Sequence, residues 1–398
     1  MLEEKMKKLA VFFGGRSSEH DVSIITGTQL IENADKSKYE IIPVYIAGDG
    51  VWYSGEALKS VAFYKKPDFK GKGVHKVFFS PVPTEGVLLE ETRRGVKEYA
   101  KIDVAVLAMH GMHGEDGTLQ GLLELADIPY TSAGVTGSAV GMDKVVMKAA
   151  FKGLGFPTLP SVYFDRNSFF ADEDKYLDMA GQVIGYPAIV KPANLGSSIG
   201  ITMAHDRDEL KRALYVAANF DRRILVEKGV TDMMEINCAV LGMGSNAKAS
   251  VLEQPLSGGE ILDFSDKYLS SGGQSKGMKS LGRKIPADIP EEMADRIRQL
   301  SLDIFDTLDM KGVVRIDYII DKATNTLYVN EANTIPGSFA FYLFEPMGIK
   351  YSELIDTLVE CALARAAEKR SCEFSFDSEI LKKAGTGAKG VKGAKGVK

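Results

Sequence analysis

The segment from Gly312 to Gly337, GVVRIDYIIDKATNTLYVNEANTIPG, admits few folds. Two runs of alternating residues flank the polar sequence DKATNT, the pattern of a β-hairpin. Side chains alternate across a strand, so Val313, Arg315, Asp317 and Ile319 share one face while Val314, Ile316, Tyr318 and Ile320 share the other. The same alternation groups Leu327, Val329, Glu331 and Asn333 on the second strand. With the turn centred near Thr324, Asp317 falls opposite Glu331, and Arg315 opposite Asn333.

Two facing carboxylates repel one another when both are ionised. A hard divalent cation resolves that conflict, and the oxygens of Asp, Glu and Asn suit Mg²⁺ shared with phosphate groups. The polar face ends in Asn333-Thr-Ile-Pro-Gly337, a rigid turn followed by a permissive glycine. A solvated hairpin face accounts for the alternation but not for that ending. The hairpin reads as a platform for metal and phosphate.

A chain of 398 residues has room for two or three domains. No apolar run is long enough to span a bilayer, and the apolar stretch in MLEEKMKKLAVFFGG is too short for a signal peptide. Cys238, Cys361 and Cys372 are scattered, with neither a disulfide framework nor metal-ligand spacing. These features point to a cytoplasmic protein. The net charge is −5, but six lysines and no acid follow from Lys382 onward, so the rest of the chain carries −11. An acidic body gives no footing for nucleic acid. The tail repeats GAKGVK at 387–392 and 393–398, a composition expected to be disordered and without function.

Residues 8–15 read as a buried strand entering a glycine turn, followed by Arg16-Ser-Ser-Glu-His-Asp21 and an amphipathic helix, the opening of a doubly wound α/β unit. Strands follow at 40–46 and 103–109, with an irregular, decorative stretch at 47–100 that holds a hairpin near Pro81–Pro83. A helix spans 137–152 and another 172–184. YPAIVKPA, the loop Asn194-Leu-Gly-Ser-Ser-Ile-Gly200 and ITMA then form a strand–glycine loop–strand flap with Lys191 embedded. Backbone N–H groups and a lysine both oppose negative charge, so such a flap suits phosphates. A helix at about 206–218 precedes a strand at 222–230. Strands MEINCAVLG and ASVLEQP, a glycine-spotted lid at 257–284, a helix at 291–309, the hairpin and a helix at 351–369 complete the chain.

The combination GGRSSEHDVS, HGMHGEDGTLQG, MDK, VKPANLGSSIGI, DKY, RID and NEANTIPG, in this order over about 8–365, resembles the D-alanine–D-alanine ligases of the ATP-grasp superfamily. The resemblance implies an α/β fold, α+β in the nucleotide-binding part. A Rossmann-like N-terminal substrate domain (1–132) precedes two α+β domains (133–226 and 227–380) that sandwich ATP, with 381–398 as tail. It implies a homodimer and peptidoglycan precursor synthesis by ATP-dependent joining of two D-alanines through a D-alanyl phosphate. Asp317, Glu331 and Asn333 match Mg²⁺ (or Mn²⁺) ligands, two ions in the family, and Arg315 and the Gly337 N–H match the oxyanion donors. Lys144, Lys191, Ser198 and Lys267 match phosphate-site residues, Glu227, Lys228 and Val230 the adenine linker, and Glu235 the ribose glutamate. Glu19 matches the carboxylate that holds the first ammonium, in a pocket lined by His110. Glu19, Ser197 and Tyr268 match a hydrogen-bonded triad.

Two features bear on the second substrate. Tyr268 on the lid matches the pattern of ligases that use an amine rather than a hydroxy acid. Where the usual enzymes carry His-Ser-Leu, this chain has Phe341, Tyr342 and Leu343, so a phenol replaces the serine expected to meet the second carboxylate. The alternative reading of that pair is a dipeptide ligase taking D-serine or another amino acid. A nucleotide-binding regulator without ligase activity fits poorly with an intact set of acids, lysines and arginine.

Overall fold

The structure is a computed structural model and describes residues 6–83, 85–256 and 282–376. The lid residues Lys267 and Tyr268 and the tail 381–398 lie outside the described residues. Among the described residues, strands gather into a seven-stranded sheet, two four-stranded sheets and a two-stranded ribbon.

The first sheet comprises β1 (Lys7–Gly14), β2 (Tyr39–Ile46), β3 (Trp52–Ser54), β4 (His75–Phe79), β5 (Val87–Thr92), β6 (Gly95–Lys101) and β7 (Val104–Leu107), ordered β6-β5-β4-β3-β2-β1-β7. β1 is parallel to β2 and β7, as the doubly wound opening predicts. Its residues Leu9 to Phe13 are all buried, which is why they read as an unbroken apolar run. The stretch 47–100 departs from expectation. It is not irregular but extends the sheet through antiparallel β3 to β6, and the hairpin around Pro81–Pro83 joins β4 to β5. These strands are short, and β6 lies largely exposed at the sheet edge, so no strong apolar alternation announces it.

The second sheet comprises β8 (Ser161–Asp165), β9 (Ala188–Pro192), β10 (Thr202–Ala204) and β11 (Arg223–Lys228), ordered β10-β9-β11-β8 and antiparallel throughout. Helices Glu173–Val183 and Arg207–Phe220 bury Leu177, Ala180, Leu210 and Leu214 against it. The helix expected at 137–152 is two helices, Val135–Met142 and Lys144–Gly153. Asp143 breaks it: its carboxylate caps the second helix by accepting the Val145 and Val146 N–H groups, each at 3.0 Å. The carboxylate also pairs with Arg223 at 2.6 Å. The apolar pattern runs across the break, which hid it from a periodicity argument.

The third unit contains β12 (Met233–Gly242), β13 (Lys248–Ala249), β14 (Gln254–Pro255), β15 (Arg283–Lys284), β16 (Gly312–Asp321) and β17 (Thr326–Asn333). Its sheet runs β13-β12-β16-β17, and β14 pairs with β15. The strand expected from ASVLEQP is reduced to the short pieces β13 and β14. Helix Glu291–Thr307 packs Ala294, Ile297 and Phe305 against Val314, Ile316, Tyr318 and Ile320. Register pairs Arg315 with Asn333 and Asp317 with Glu331, as the hairpin predicts. Beyond that point the pairing shifts to Tyr318 with Val329, leaving Asn330 as an extra residue. The bulge inverts the alternation, so Val329 and Leu327 enter the core beside Tyr318 and do not share the face of Glu331.

The C-terminal helix Tyr351–Arg370 shares an apolar core with the first sheet through Tyr351, Leu354, Ile355, Leu358 and Val359. No helix among the described residues is long and apolar enough to cross a membrane.

Candidate active site

The polar face of β16 and β17 carries the first part of the site. Arg315 grips Asp317 with two hydrogen bonds, Nε to Oδ1 and a terminal nitrogen to Oδ2, both 2.7 Å. Asn333 Nδ2 donates to Asp317 Oδ2 at 3.0 Å. Burial alone would weaken the charge on Arg315, but pairing with Asp317 outweighs it and keeps the guanidinium protonated. Glu331 lies 3.5 Å from Lys144 Nζ, which also donates to the Leu195 carbonyl at 2.6 Å. Glu331 and Asp317 are half-buried at paired positions, and Asn333 lies beside them.

This donor set fits a hard cation. Two carboxylates and the carbonyl oxygen of a carboxamide are hard donors, and Mg²⁺ ordinarily takes one or two carboxylates and fills its remaining positions with water and phosphate. No group of three His, Cys, Asp or Glu is arranged for a metal among the described residues.

Near Glu331 lies a buried cluster of charge. Lys191 Nζ donates to Glu227 Oε2 at 2.7 Å and to Asn330 Oδ1 at 3.2 Å. Lys148 Nζ stands 2.5 Å from Glu227 Oε1 and donates to the Val329 carbonyl at 3.3 Å. The bulge explains the last two partners: the extra residue turns Asn330 and the preceding carbonyl toward the lysines. Glu227 is 0% exposed. Burial would raise its pKa, but Lys148 and Lys191 hold it below the ordinary value. Its carboxylate therefore serves the two lysines, while the neighbouring segment runs on through Lys228, whose Nζ donates to the Tyr186 carbonyl at 2.9 Å, to the half-buried Val230. Glu235 lies on β12 opposite Ile319, also half-buried.

The glycine loop meets the first sheet at Glu19. Ser197 donates to Glu19 Oε1. A Cβ on Gly196 would sit 2.5 Å from Glu19 Oε2, and one on Gly111, whose φ is +69°, would sit 2.7 Å away. Only glycine leaves room for that carboxylate on both sides. Ser197 and Ser198 hold φ of 53° and 60°, a left-handed conformation that costs energy in non-glycine residues and tends to cluster at ligand clamps. Glu19 and Ser197 of the expected triad are thus joined across 178 residues.

His110 is buried, hydrogen-bonded to Thr26 Oγ1 at 2.7 Å and to the backbone of Ile335. Burial lowers its pKa to about 4, with nearby Arg315 acting the same way, so the imidazole is neutral at ordinary pH. Beside it, Glu115 accepts the Gly111 N–H at 2.8 Å and the Ile335 N–H at 3.0 Å. Burial, and then the charge of Glu19, raise the Glu115 pKa to about 8.

After Gly337 the chain makes a left-handed turn through Ser338, Phe339 and Ala340, with φ of 50°, 55° and 48°. Leu343 is in the core. The Tyr342 hydroxyl, expected to meet a substrate carboxylate, donates instead to Glu253 Oε2 at 2.9 Å. Glu253 also receives Asn237 Nδ2 at 3.1 Å and pairs with Arg283 at 2.8 Å, and Arg283 lies over the Tyr342 ring at 4.4 Å. Sequence reasoning missed Lys148, Glu115, Asn237, Glu253 and Arg283. Lys148 was findable, because it lies four residues after Lys144 on the same helical face. Glu115 sat inside a quoted motif without a role, and the other three are brought together only by tertiary packing.

Comparison with known proteins identifies the family. The family model described as D-ala D-ala ligase N-terminus matches residues 8–133, and that described as D-ala D-ala ligase C-terminus matches 150–360. The D-alanine–D-alanine ligase of Thermoanaerobacter sp. (strain X514) is 40% identical over 370 residues, covering 91% of this chain and 98% of the relative. Among solved structures, the D-alanine-D-alanine ligase from Coxiella burnetii superposes with a TM-score of 0.75 at 26% identity, over 92% of this chain and 97% of that one. The VanG D-Ala:D-Ser ligase from Enterococcus faecalis gives a TM-score of 0.75 at 28% identity, over 90% and 100%. The chain belongs to the D-alanine–D-alanine ligase family.

Proposed function

We propose that this protein is an ATP-dependent C–N ligase that joins two D-alanines through a D-alanyl phosphate, supplying a peptidoglycan precursor. The observation that carries the reading is one sheet face that holds Arg315, Asp317, Glu331 and Asn333 in register, with Lys144 against it. A carboxylate is a poor electrophile, and phosphorylation gives it a leaving group. The protein's share is then placement and charge stabilisation around a crowded anionic centre.

In this reading Lys144, Lys191 and Ser198 face the ATP phosphates, joined by Lys267. Glu227, Lys228, Val230 and Glu235 border the nucleoside, Glu227 by holding Lys148 and Lys191 in place. Asp317, Glu331 and Asn333 would hold Mg²⁺ or Mn²⁺, two ions in the family pattern, which neutralises phosphate charge when bound. Glu19 receives the ammonium of the first D-alanine, in a pocket that the neutral His110 lines without adding positive charge. Arg315 and the Gly337 N–H stabilise the oxyanion formed when the second amine attacks, and Tyr342 and Leu343 border that amine's subsite. The Glu19–Ser197 contact, extended by Tyr268, orders the closed site, and closure keeps water from the acylphosphate. The same reading places the protein in the cytoplasm as a homodimer, with an ATP-grasp pair of domains at 133–226 and 227–380 behind the substrate domain at 1–132.

The test is phosphate release with Mg-ATP and D-alanine, with products identified by mass. D-alanine alone should give phosphate and D-alanyl-D-alanine. Adding D-serine, D-lactate or L-amino acids should not be required. No dipeptide from D-alanine alone would sink the assignment.

A further inference from the structure

The loop 110–118 fastens Ile335 by two side chains, one on each side of the residue. Glu115 Oε1 accepts its N–H at 3.0 Å, and His110 hydrogen-bonds its backbone as well. The other Glu115 oxygen is tied to its own loop by the Gly111 N–H at 2.8 Å. Downstream, Thr26 Oγ1 accepts the Ser338 N–H at 3.2 Å and meets His110 at 2.7 Å. Ser338 Oγ donates to Gln29 Oε1 at 2.6 Å. The chain is therefore fastened at Ile335 and again at Ser338, with only Pro336 and Gly337 between. Gly111 also abuts Glu19, so the loop that holds the turn borders the first amino-acid pocket as well.

Ser338, Phe339 and Ala340 occupy left-handed backbone that their side chains disfavour, and such a turn persists only where neighbours fix it. An oxyanion donor is useful only within a narrow range of positions. We infer that Glu115 is a positioning residue that, with His110 and Thr26, fixes the Gly337 N–H at the site of the tetrahedral oxyanion and ties that donor to the first-substrate pocket. The inference rests on the ligase reading above. Phosphorylation of the first substrate depends mainly on the lysines and the metal face. Attack by the second amine depends on the oxyanion donor. A loosened turn slows the second step selectively. Water then attacks the waiting acyl carbon, its oxygen forms the new C–O bond, the bond to phosphate breaks, and D-alanine and phosphate leave without dipeptide.

Glu115→Gln keeps the size of the side chain but points an NH₂ group at one of the two N–H donors. Dipeptide kcat should fall about 100-fold, the scale of a misplaced catalytic group. Phosphate should exceed dipeptide several-fold, where wild type should release the two in equal amounts, and KM for ATP should stay unchanged. Thr26→Val, nearly isosteric, should shift the phosphate-to-dipeptide ratio in the same direction by less, and carries the test if the first variant does not fold. Equal phosphate and dipeptide from the folded variants overturns the inference. So does a loss in Glu115→Gln matched by weaker ATP binding while Thr26→Val remains coupled. Wild-type protein that makes no dipeptide overturns the ligase reading, and the inference with it.

Discussion

Glu227, fully buried, and Glu115, half-buried, are the same residue type in two neighbouring regions, and they are held in opposite ways. Glu227 lies between two ammonium groups, at 2.5 Å from Lys148 and 2.7 Å from Lys191, and stays ionised. Glu115 lies on two backbone N–H groups and faces another carboxylate, so its pKa climbs to about 8. Burial penalises charge in both places, and the sign of the neighbours decides the outcome. Around Glu227 the opposed charges raise the Lys191 pKa against burial, whereas burial wins at Lys148 and lowers it. Beside Glu19, Glu115 and His110 are both pushed toward neutrality.

The largest expected effect separates the two regions by stability. Glu227→Gln removes the directly paired counter-charge of two buried lysines and should cost about 3–5 kcal/mol. Glu115→Gln removes no opposed charge and exchanges one backbone hydrogen bond, so its cost should be about 1 kcal/mol. Urea unfolding of both variants gives the comparison. Similar losses would mean that the Lys148–Glu227–Lys191 cluster is not behaving as a buried ion pair.

A second difference, in pH dependence, sharpens the contrast. Glu115 has an ordinary pKa of 4.5 and a folded value of about 8. Between these values the folded chain keeps a proton that the unfolded chain has lost, so its contribution is complete below 4.5 and vanishes as pH rises through about 8. Glu227 runs the other way. Its pKa is lowered from 4.5, so its contribution is present above 4.5 and is lost as pH falls through the folded value. His110, lowered from 6.5 to about 4, likewise destabilises the fold as pH falls between those values. The stability difference between wild type and Glu115→Gln should therefore shrink from pH 5 to pH 9, a range of about four units spanning the folded value. A pH-independent difference would show that Glu115 is ionised in the folded protein.

How much of this was legible depended on whether the relevant interaction was local. The pairings of Asp317 with Glu331 and Arg315 with Asn333 followed from strand alternation and a short turn. Beyond them the same rule misplaced Val329 and Leu327, because nothing in TLYVNEAN marks Asn330 as a bulge. The bulge serves Lys191 and Lys148, which lie on other elements, so its cause is tertiary. The break at Asp143 was visible in principle as an N-cap residue, but the surrounding apolar pattern masked it. Glu19 with Ser197 was legible only through the motif combination, since 178 residues separate them. The role of Glu227 turned on its 0% exposure, which sequence does not state for a glutamate after an apolar run.

The smallest expected effect concerns a carboxylate intermediate between these two. Among the described residues Glu253 pairs with Arg283 and accepts from two neutral donors, Tyr342 and Asn237. Tyr342→Phe removes one neutral donor while the ring remains to stack under Arg283, whose guanidinium lies 4.4 Å from its centre. The remaining partners still satisfy Glu253, so the loss should be about 1 kcal/mol, the lower end for a hydrogen bond to a charged group. Because the hydroxyl is committed to Glu253, KM for the second D-alanine should hardly move. A steep rise in that KM with unchanged stability would mean that the hydroxyl turns from Glu253 to the substrate carboxylate, as the Phe341-Tyr342-Leu343 segment first suggested. The two outcomes give different accounts of why a tyrosine occupies this position: in one it braces the turn after Gly337, and in the other it selects the second substrate.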